Sequence, residues 1–220
     1  MAQRTSTLAK PATPTTNGRR SPTAAETVQP VPPGGTVLIN LPELELRQVS
    51  IRIRGTSPLI THPWSQKARE QMLAKQTKTA SKGRLAKDPE QEYQDSIYHH
   101  PEGGYGFPSV GVKAAMVRAG TYADLKMTFL RGCFHLAGEW VRIEGEPRKR
   151  EDMVRVGMGV ADIRFRAEFP EWEATLDITF NARAISLEQL TNLVNVAGFA
   201  VGIGEWRPER DGQFGRFTVL

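Results

Sequence analysis

Glu173-Ala-Thr-Leu-Asp-Ile-Thr-Phe-Asn181, then Ser186-Leu-Glu-Gln189, then Gly202-Ile-Gly204-Glu-Trp-Arg207-Pro-Glu-Arg210-Asp-Gly212-Gln-Phe-Gly215, is the run of sequence that decides the fold. In the first piece Ala174, Leu176, Ile178 and Phe180 alternate with polar residues, the period of a strand with one buried face. Ser186 and Gln189 match a capping box, and Leu187, Leu190, Leu193, Val194 and Ala197 give the helix after it an apolar stripe. The glycines and a last strand, Gly215 to Leu220, close the chain. These glycines are not the dinucleotide fingerprint, which must follow a strand and open a helix; here the order is helix, glycines, strand. Bare backbone with Arg207 and Arg210 can approach a phosphate and clamp its charge, although the same composition also makes a plain connector.

Working outward, Leu44, Leu46, Val49, Ile51 and Ile53 interleave with charged residues, with a slip near Gln48, so a first strand with a bulge is expected. Trp64 to Gln76 reads as a helix with Trp64, Ala68, Met72 and Leu73 along one side. Asp95 to His100 reads as a short strand, and Ser109 to Ala123 as a helix carrying Val112, Ala115, Met116, Ala119 and Tyr122, with Ser109 as its N-cap. Strands are expected near Thr128 to Leu136, Trp140 to Glu144 and Met153 to Met158. Asp162 to Glu168 alternates Ile163, Phe165 and Ala167 against Arg164, Arg166 and Glu168, and a turn at Pro170 predicts a hairpin with Glu173 to Asn181. Without the insertion at about 56–106, the order is strand, helix, strands, helix, strand. This predicts an α+β, ferredoxin-like (RRM-like) split βαβ domain with an antiparallel sheet.

The chain has 220 residues, 39% of them apolar, enough for one main domain, placed at 37–220. Residues 1–36 hold Pro11, Pro14, Pro22, Pro30, Pro32 and Pro33 among threonines, a composition that predicts a disordered tail. The single cysteine, Cys133, excludes an intramolecular disulfide framework and multi-cysteine zinc sites and fits a reducing cytoplasm. No membrane span or secretory leader is read in the sequence. A net charge of +5 and a pI near 9.5 favour polyanionic partners. From Gln71 to Lys87 the chain carries Lys75, Lys78, Lys82, Arg84 and Lys87 and no acid, the pattern of a basic arm for nucleic acid or of a solvated loop.

Gly106-Phe-Pro-Ser-Val-Gly-Val-Lys113-Ala-Ala-Met-Val-Arg118 resembles the Pro-Gly-Ser-Ser-Leu-Lys-Gly-Ala-Leu-Arg element of the RAMP superfamily, the repeat-associated proteins of CRISPR effector complexes. Gly202, Gly204, Arg207, Gly212 and Gly215 resemble the glycine-rich loop of that superfamily, and Thr56-Ser57-Pro58-Leu59 its Ser-Pro-Leu at the end of the first strand. Here Ser109 replaces the glycine after the proline, and the arginine stands one place later. The Gly-Phe-Pro and Gly-Glu-Trp-Arg-Pro elements also resemble those of proteins encoded by tailed bacteriophages. The resemblance implies a backbone-type subunit that lines single-stranded nucleic acid in a helical row of copies, with a basic insertion reaching across the strand.

A protein that tracks a strand needs cations for phosphates and flat or apolar faces for bases. Arg52, Arg54, Lys113, Arg118, Arg207, Arg210 and Arg216 are the candidate cations, with Gly204 and Gly212 as close-approach positions. Trp64, Tyr105, Phe107 and above all Trp206 are the stacking candidates. The expected partners are single-stranded RNA or DNA and further copies of the chain in a helical or ring oligomer, with no cofactor. The resemblance also extends to metal-independent endoribonucleases, for which His62, ahead of His99, His100 and His135, is the candidate acid or base. No metal-ligand spacing is present. A third reading is a phage assembly or virion-associated protein whose arms bind neighbouring subunits.

Overall fold

The computed structural model describes residues 42–64, 66–77, 87–156 and 159–220, of which 43–220 form one compact unit. The tail expected at 1–36 and the arm residues Lys78, Lys82 and Arg84 lie outside the described residues. In chain order the elements are β1 (Leu46–Gly55), β2 (Leu59–Thr61), α1 (Gln66–Gln76), α2 (Pro89–Gln94), β3 (Tyr105–Pro108), α3 (Ser109–Ala119) and α4 (Met127–Cys133). They continue with β4 (Phe134–Leu136), β5 (Trp140–Glu144), β6 (Arg148–Val156), β7 (Val160–Phe169), β8 (Glu173–Asn181), α5 (Leu187–Val196) and β9 (Phe217–Val219).

Alternation along β1 and β8 puts Ile51, Ile53, Ala174, Leu176, Ile178 and Phe180 on one buried face of an antiparallel sheet. Onto that face α3 lays Val112, Ala115 and Met116, and α5 lays Leu190, Leu193 and Val194. Each fully buried Leu or Ile removes enough apolar surface from water to contribute roughly 1.5–3 kcal/mol. The strand order is β3-β5-β8-β1-β9, and β4 lies against β8 beyond the end of β5. Taken as one interrupted strand, β4 and β5 complete the ferredoxin-like order, with last, first, third and second strands side by side. The α+β ferredoxin-like architecture is therefore present. No described helix is long and apolar enough to cross a membrane.

Several local expectations are corrected. β1 and β8 pair in unbroken register from Leu46↔Asn181 to Arg54↔Glu173, so there is no bulge at Gln48; Leu44 and Leu46 are simply exposed. Residues 127–133 are helical, and only Phe134–Leu136 of the expected strand is extended. Ser109 is not the cap of α3: Pro108 takes that position, the Ser109 amide donates to the Glu139 carbonyl (2.9 Å), and the buried hydroxyl has no partner. Trp64, Met72 and Leu73 are exposed. The capping box at Ser186 and Gln189 forms as read.

The largest correction concerns the hairpin. β7 and β8 do not pair; the turn at Pro170 carries the chain from one sheet to another. β7 joins β6 along its length and β2 at its end, which makes a second antiparallel sheet of order β2-β7-β6. Two separate insertions into the ferredoxin-like core, one after β1 and one after β5, thus meet as a single accessory layer. A buried serine fixes their junction. The Ser96 hydroxyl accepts from the Ala167 amide of β7 (2.6 Å), while the Ser96 carbonyl accepts from the Thr61 hydroxyl of β2 (2.7 Å).

Ser96→Ala leaves the buried Ala167 amide unpartnered, so it should lower the unfolding free energy by about 1–3 kcal/mol, measured by denaturant titration. Gln48→Ala, at an exposed position of β1, should change it by less than about 0.5 kcal/mol.

Candidate functional site

The residues between β1 and β2 and the glycine loop are laced together through backbone atoms. Thr56 donates to the Arg216 carbonyl (2.8 Å), Gly215 to the Pro58 carbonyl (2.8 Å) and Glu205 to the Ile60 carbonyl (2.9 Å). Ile203 donates to the Gly215 carbonyl (3.0 Å), and the Ser57 hydroxyl accepts from the Arg216 amide (3.0 Å). Such close approach explains the glycines. A Cβ on Gly212 would overlap the Trp206 carbonyl oxygen, and one on Gly204, whose φ is +79°, would overlap that of Ile60. The bare backbone at both positions faces other backbone of the same chain.

The laced loop forms one wall of a cleft of about 210 Å³, and the first turns of α3 form the other. Its polar side chains are His62, Tyr98, Arg118, Glu205 and Arg207. Gly111 on α3 lets the helix close onto Phe107, since a side chain there would press into that ring. At the cleft two guanidiniums converge on one carboxylate. Arg118 Nε lies 2.9 Å from Glu209 Oε1 and its Nη1 3.2 Å from Oε2; Arg207 Nε and Nη2 lie 3.0 and 2.8 Å from the same Oε2. Arg207 also donates to the Gly204 carbonyl (3.0 Å), which ties the pair to the loop. These are charge-assisted, fork-like contacts of the kind that recognise a carboxylate or a phosphate.

His62 keeps an accessible ring edge, yet its Nδ1 accepts a hydrogen bond from Arg166 Nε at 3.2 Å. Arginine Nε only donates, so the imidazole is neutral with its proton on Nε2. Desolvation, and then the charge of Arg166, hold its pKa below 6.5, against the opposing pull of Glu205. A neutral imidazole so fixed donates from Nε2 and offers no free basic nitrogen.

Behind the loop lies a layer of charge that the alternation of β7 reads as a solvent face. Arg166 and Glu168 are both buried. Glu168 takes hydrogen bonds from Arg148 Nε (2.7 Å) and Arg150 Nη1 (2.8 Å); burial raises its pKa, the two arginines outweigh this, and the carboxyl stays below its ordinary value. The Arg166 guanidinium sits 4.7 Å from the Trp206 ring centre, and Arg150 lies 5.8 Å from that ring and 4.8 Å from Phe214. Arg166 Nη1 is buried without a hydrogen-bond partner, and the electron-rich face of Trp206 is its compensation. Trp206, half-buried and at φ +47°, thus anchors the glycine loop to the accessory sheet.

Of the residues singled out in the sequence, the cleft gathers His62, Phe107, Arg118, Gly202, Gly204 and Arg207, with the Phe107 ring buried. Arg52 and Arg54 stand on the opposite, outward face of the sheet and pair with Glu173 (2.7 and 2.6 Å). On β1 and β8 that face presents Gln48, Ser50, Thr175 and Asp177 beside them, so these two strands lack the aromatic stacking surface of an RRM, while β5 places Trp140 on the same side as Arg142 and Glu144. Lys113 lies on the far side of α3, its Nζ 3.0 Å from His135 Nδ1. Lys87 is engaged by Asp162 and the Ile163 carbonyl, while Lys75 and Arg210 are exposed. Glu209 and Arg166 were not legible as site residues, because each reads as an ordinary surface charge.

No family model and no curated protein matches the sequence. Solved structures that resemble the chain include Cmr6 from Pyrococcus furiosus, 11% identical over 81% of this chain and 100% of that one, with a TM-score of 0.42. A Cas6 product complex is 14% identical over 78% of this chain and 51% of that one, with a TM-score of 0.28. Likeness at this level leaves the functional reading to the geometry of the site.

Gly212→Ala should lower the unfolding free energy by at least about 1–3 kcal/mol, seen as a fall in thermal midpoint, because backbone must move to admit the methyl. By NMR, His62 should titrate below 6.5. Its contribution to stability is accordingly complete above the unfolded value near 6.5 and is lost as the pH falls through the folded value. A His62→Asn variant should lose that part of the acid dependence.

Proposed function

We propose that this protein binds single-stranded nucleic acid without sequence preference, with the strand's phosphates entering the cleft between α3 and the glycine loop. The observation that carries the reading is the convergence of Arg118 and Arg207, from distant parts of the chain, on one two-oxygen anion. A phosphodiester offers the same pair of oxygens. Glu209 occupies that seat in the free protein, on the short turn Pro208–Arg210. The net charge of +5 adds a sequence-independent attraction. Binding along a row of copies, as in a helical assembly, extends the same reading and is checked by the stoichiometry on long oligonucleotides.

The nuclease reading is favoured by one observation, the presence of His62 in the same cleft as Arg118. Against it stands the Arg166 hydrogen bond, which takes up Nδ1 and leaves Nε2 protonated. His62 on this reading hydrogen-bonds a phosphate or sugar oxygen.

The test is fluorescence anisotropy with an unstructured oligonucleotide at graded salt. Arg118→Ala should weaken binding about tenfold or more and flatten the salt dependence by about 0.7 in log–log slope, the share of one phosphate contact. Glu209→Gln should strengthen binding, because it removes the competing anion. Arg54→Ala, on the outward sheet face, should leave affinity unchanged. Equal binding by all three variants would return the cleft to a purely structural role.

A further inference from the structure

α3 is a ridge with a depression on each side. Beyond it, α4 lies alongside and leaves a groove of about 380 Å³ lined by Val110, Lys113, Ala114, Val117, Arg118, Met127 and Arg131. Helical spacing makes this groove: Val110, Ala114 and Val117 recur along one side of α3, and Met127 and Arg131 stand one turn apart on α4. Its floor is apolar and its rim cationic, with three cations and no carboxylate in the lining.

Two features have no structural explanation within the fold. Val110 is 73% and Met127 37% exposed, an apolar pair left in water beside a rim of charge. Arg131 is exposed and has no ion-pair partner among the described residues, whereas Arg118 is held by Glu209. The groove also adjoins the first cleft across α3, since Ala114 and Arg118 line both.

We infer that the α3–α4 groove is a second nucleotide site for the same strand, with a phosphate on Arg131 and Lys113 and the adjoining base laid on Val110 and Met127. This rests on the nucleic-acid reading of the first cleft. Charge favours this occupant: a protein segment without acidic residues would cover Arg131, which has no ion-pair partner among the described residues, at a large desolvation cost. A nucleotide brings its own anion and an apolar face together. The strand crosses α3 over Ala114, where the side chain is a methyl group, and Arg118 on the crest serves both sites.

The experiment compares labelled oligothymidylates of about 4 and about 12 nucleotides, which bracket the length a single-strand site occupies. Arg131→Ala should weaken the longer oligonucleotide about tenfold and lower its salt slope by about 0.7, with the shorter one bound as by the parent. Met127→Ala should weaken the longer one a few-fold with the slope unchanged, because a base contact releases no counterion. Arg131→Lys should keep the slope. Both residues are accessible to solvent, and thermal melts of each variant confirm that the fold is intact.

Parental affinity of Arg131→Ala and Met127→Ala for both lengths would overturn the second site and leave the first cleft standing. Equal weakening of both lengths by Arg131→Ala would place Arg131 at the first cleft and overturn it also. A change of oligomeric state in Arg131→Ala without nucleic acid would make the groove an interface between copies, again against the inference. A parent that binds neither length overturns the cleft and the groove together.

Discussion

Everything in this fold hangs on the backbone lacing between the segment after β1 and the glycine loop. Thr56 to Ile60 is the point where the chain leaves the ferredoxin-like sheet and enters the accessory one, and the loop near the C-terminus is bonded to it at Pro58 and Ile60. Trp172, at the return from the accessory sheet, is fixed to the same place: its indole donates to the Ser57 carbonyl (3.0 Å) and its carbonyl accepts from the Gly55 amide (2.8 Å). Three passages of chain therefore share one seam. Most of these contacts are between main chains, and glycine is demanded where two backbones touch.

The seam positions the charge. With the loop fixed against Ile60, Arg207 is held beside Arg118, and Trp206 is delivered onto Arg166 on the other side. Arg166 in turn holds His62. The anion seat and the imidazole are thus linked through a half-buried layer of guanidiniums, carboxylates and aromatic rings. Isolated charges would not be tolerated at such depth; here Glu168 has two arginines, and Arg166 has an indole and an imidazole. Trp206 spends its ring face inside the protein, which is the opposite of a free stacking platform.

The core was legible because its alternation and capping are local signals. β8 buries the residues that its period assigns, β1 buries Ile51 and Ile53 and α5 buries Leu190, Leu193 and Val194, and the element order alone leads to the split βαβ. The accessory sheet was hidden for a physical reason. Period two in β7 separates Ala167 from Arg166 and Glu168, and the usual reading sends the charged set to water; ion pairs and an indole made burial of both faces possible. The turn at Pro170 reads equally well as a hairpin or as a crossing between sheets, since nothing local tells a strand which neighbour it will meet. Of the candidate site, Arg118 and Arg207 were visible as cations, but their shared partner Glu209, and the lack of an ion-pair partner for Arg131 among the described residues, depended on distances that no spacing encodes.

The seam also governs the order in which the molecule is completed. Arg54 meets Glu173 across 119 residues, and Arg216 meets Ser57 across 159. A chain under synthesis has β1 long before β8 exists to pair with it, and Arg118 long before the glycine loop brings Arg207 beside it. Contacts at such separation must await a large loss of chain entropy, the situation in which folding is slow and partly formed sheets linger with open edges. For this protein the cleft therefore cannot form until residues 202–215 are present to meet α3 and the segment after β1.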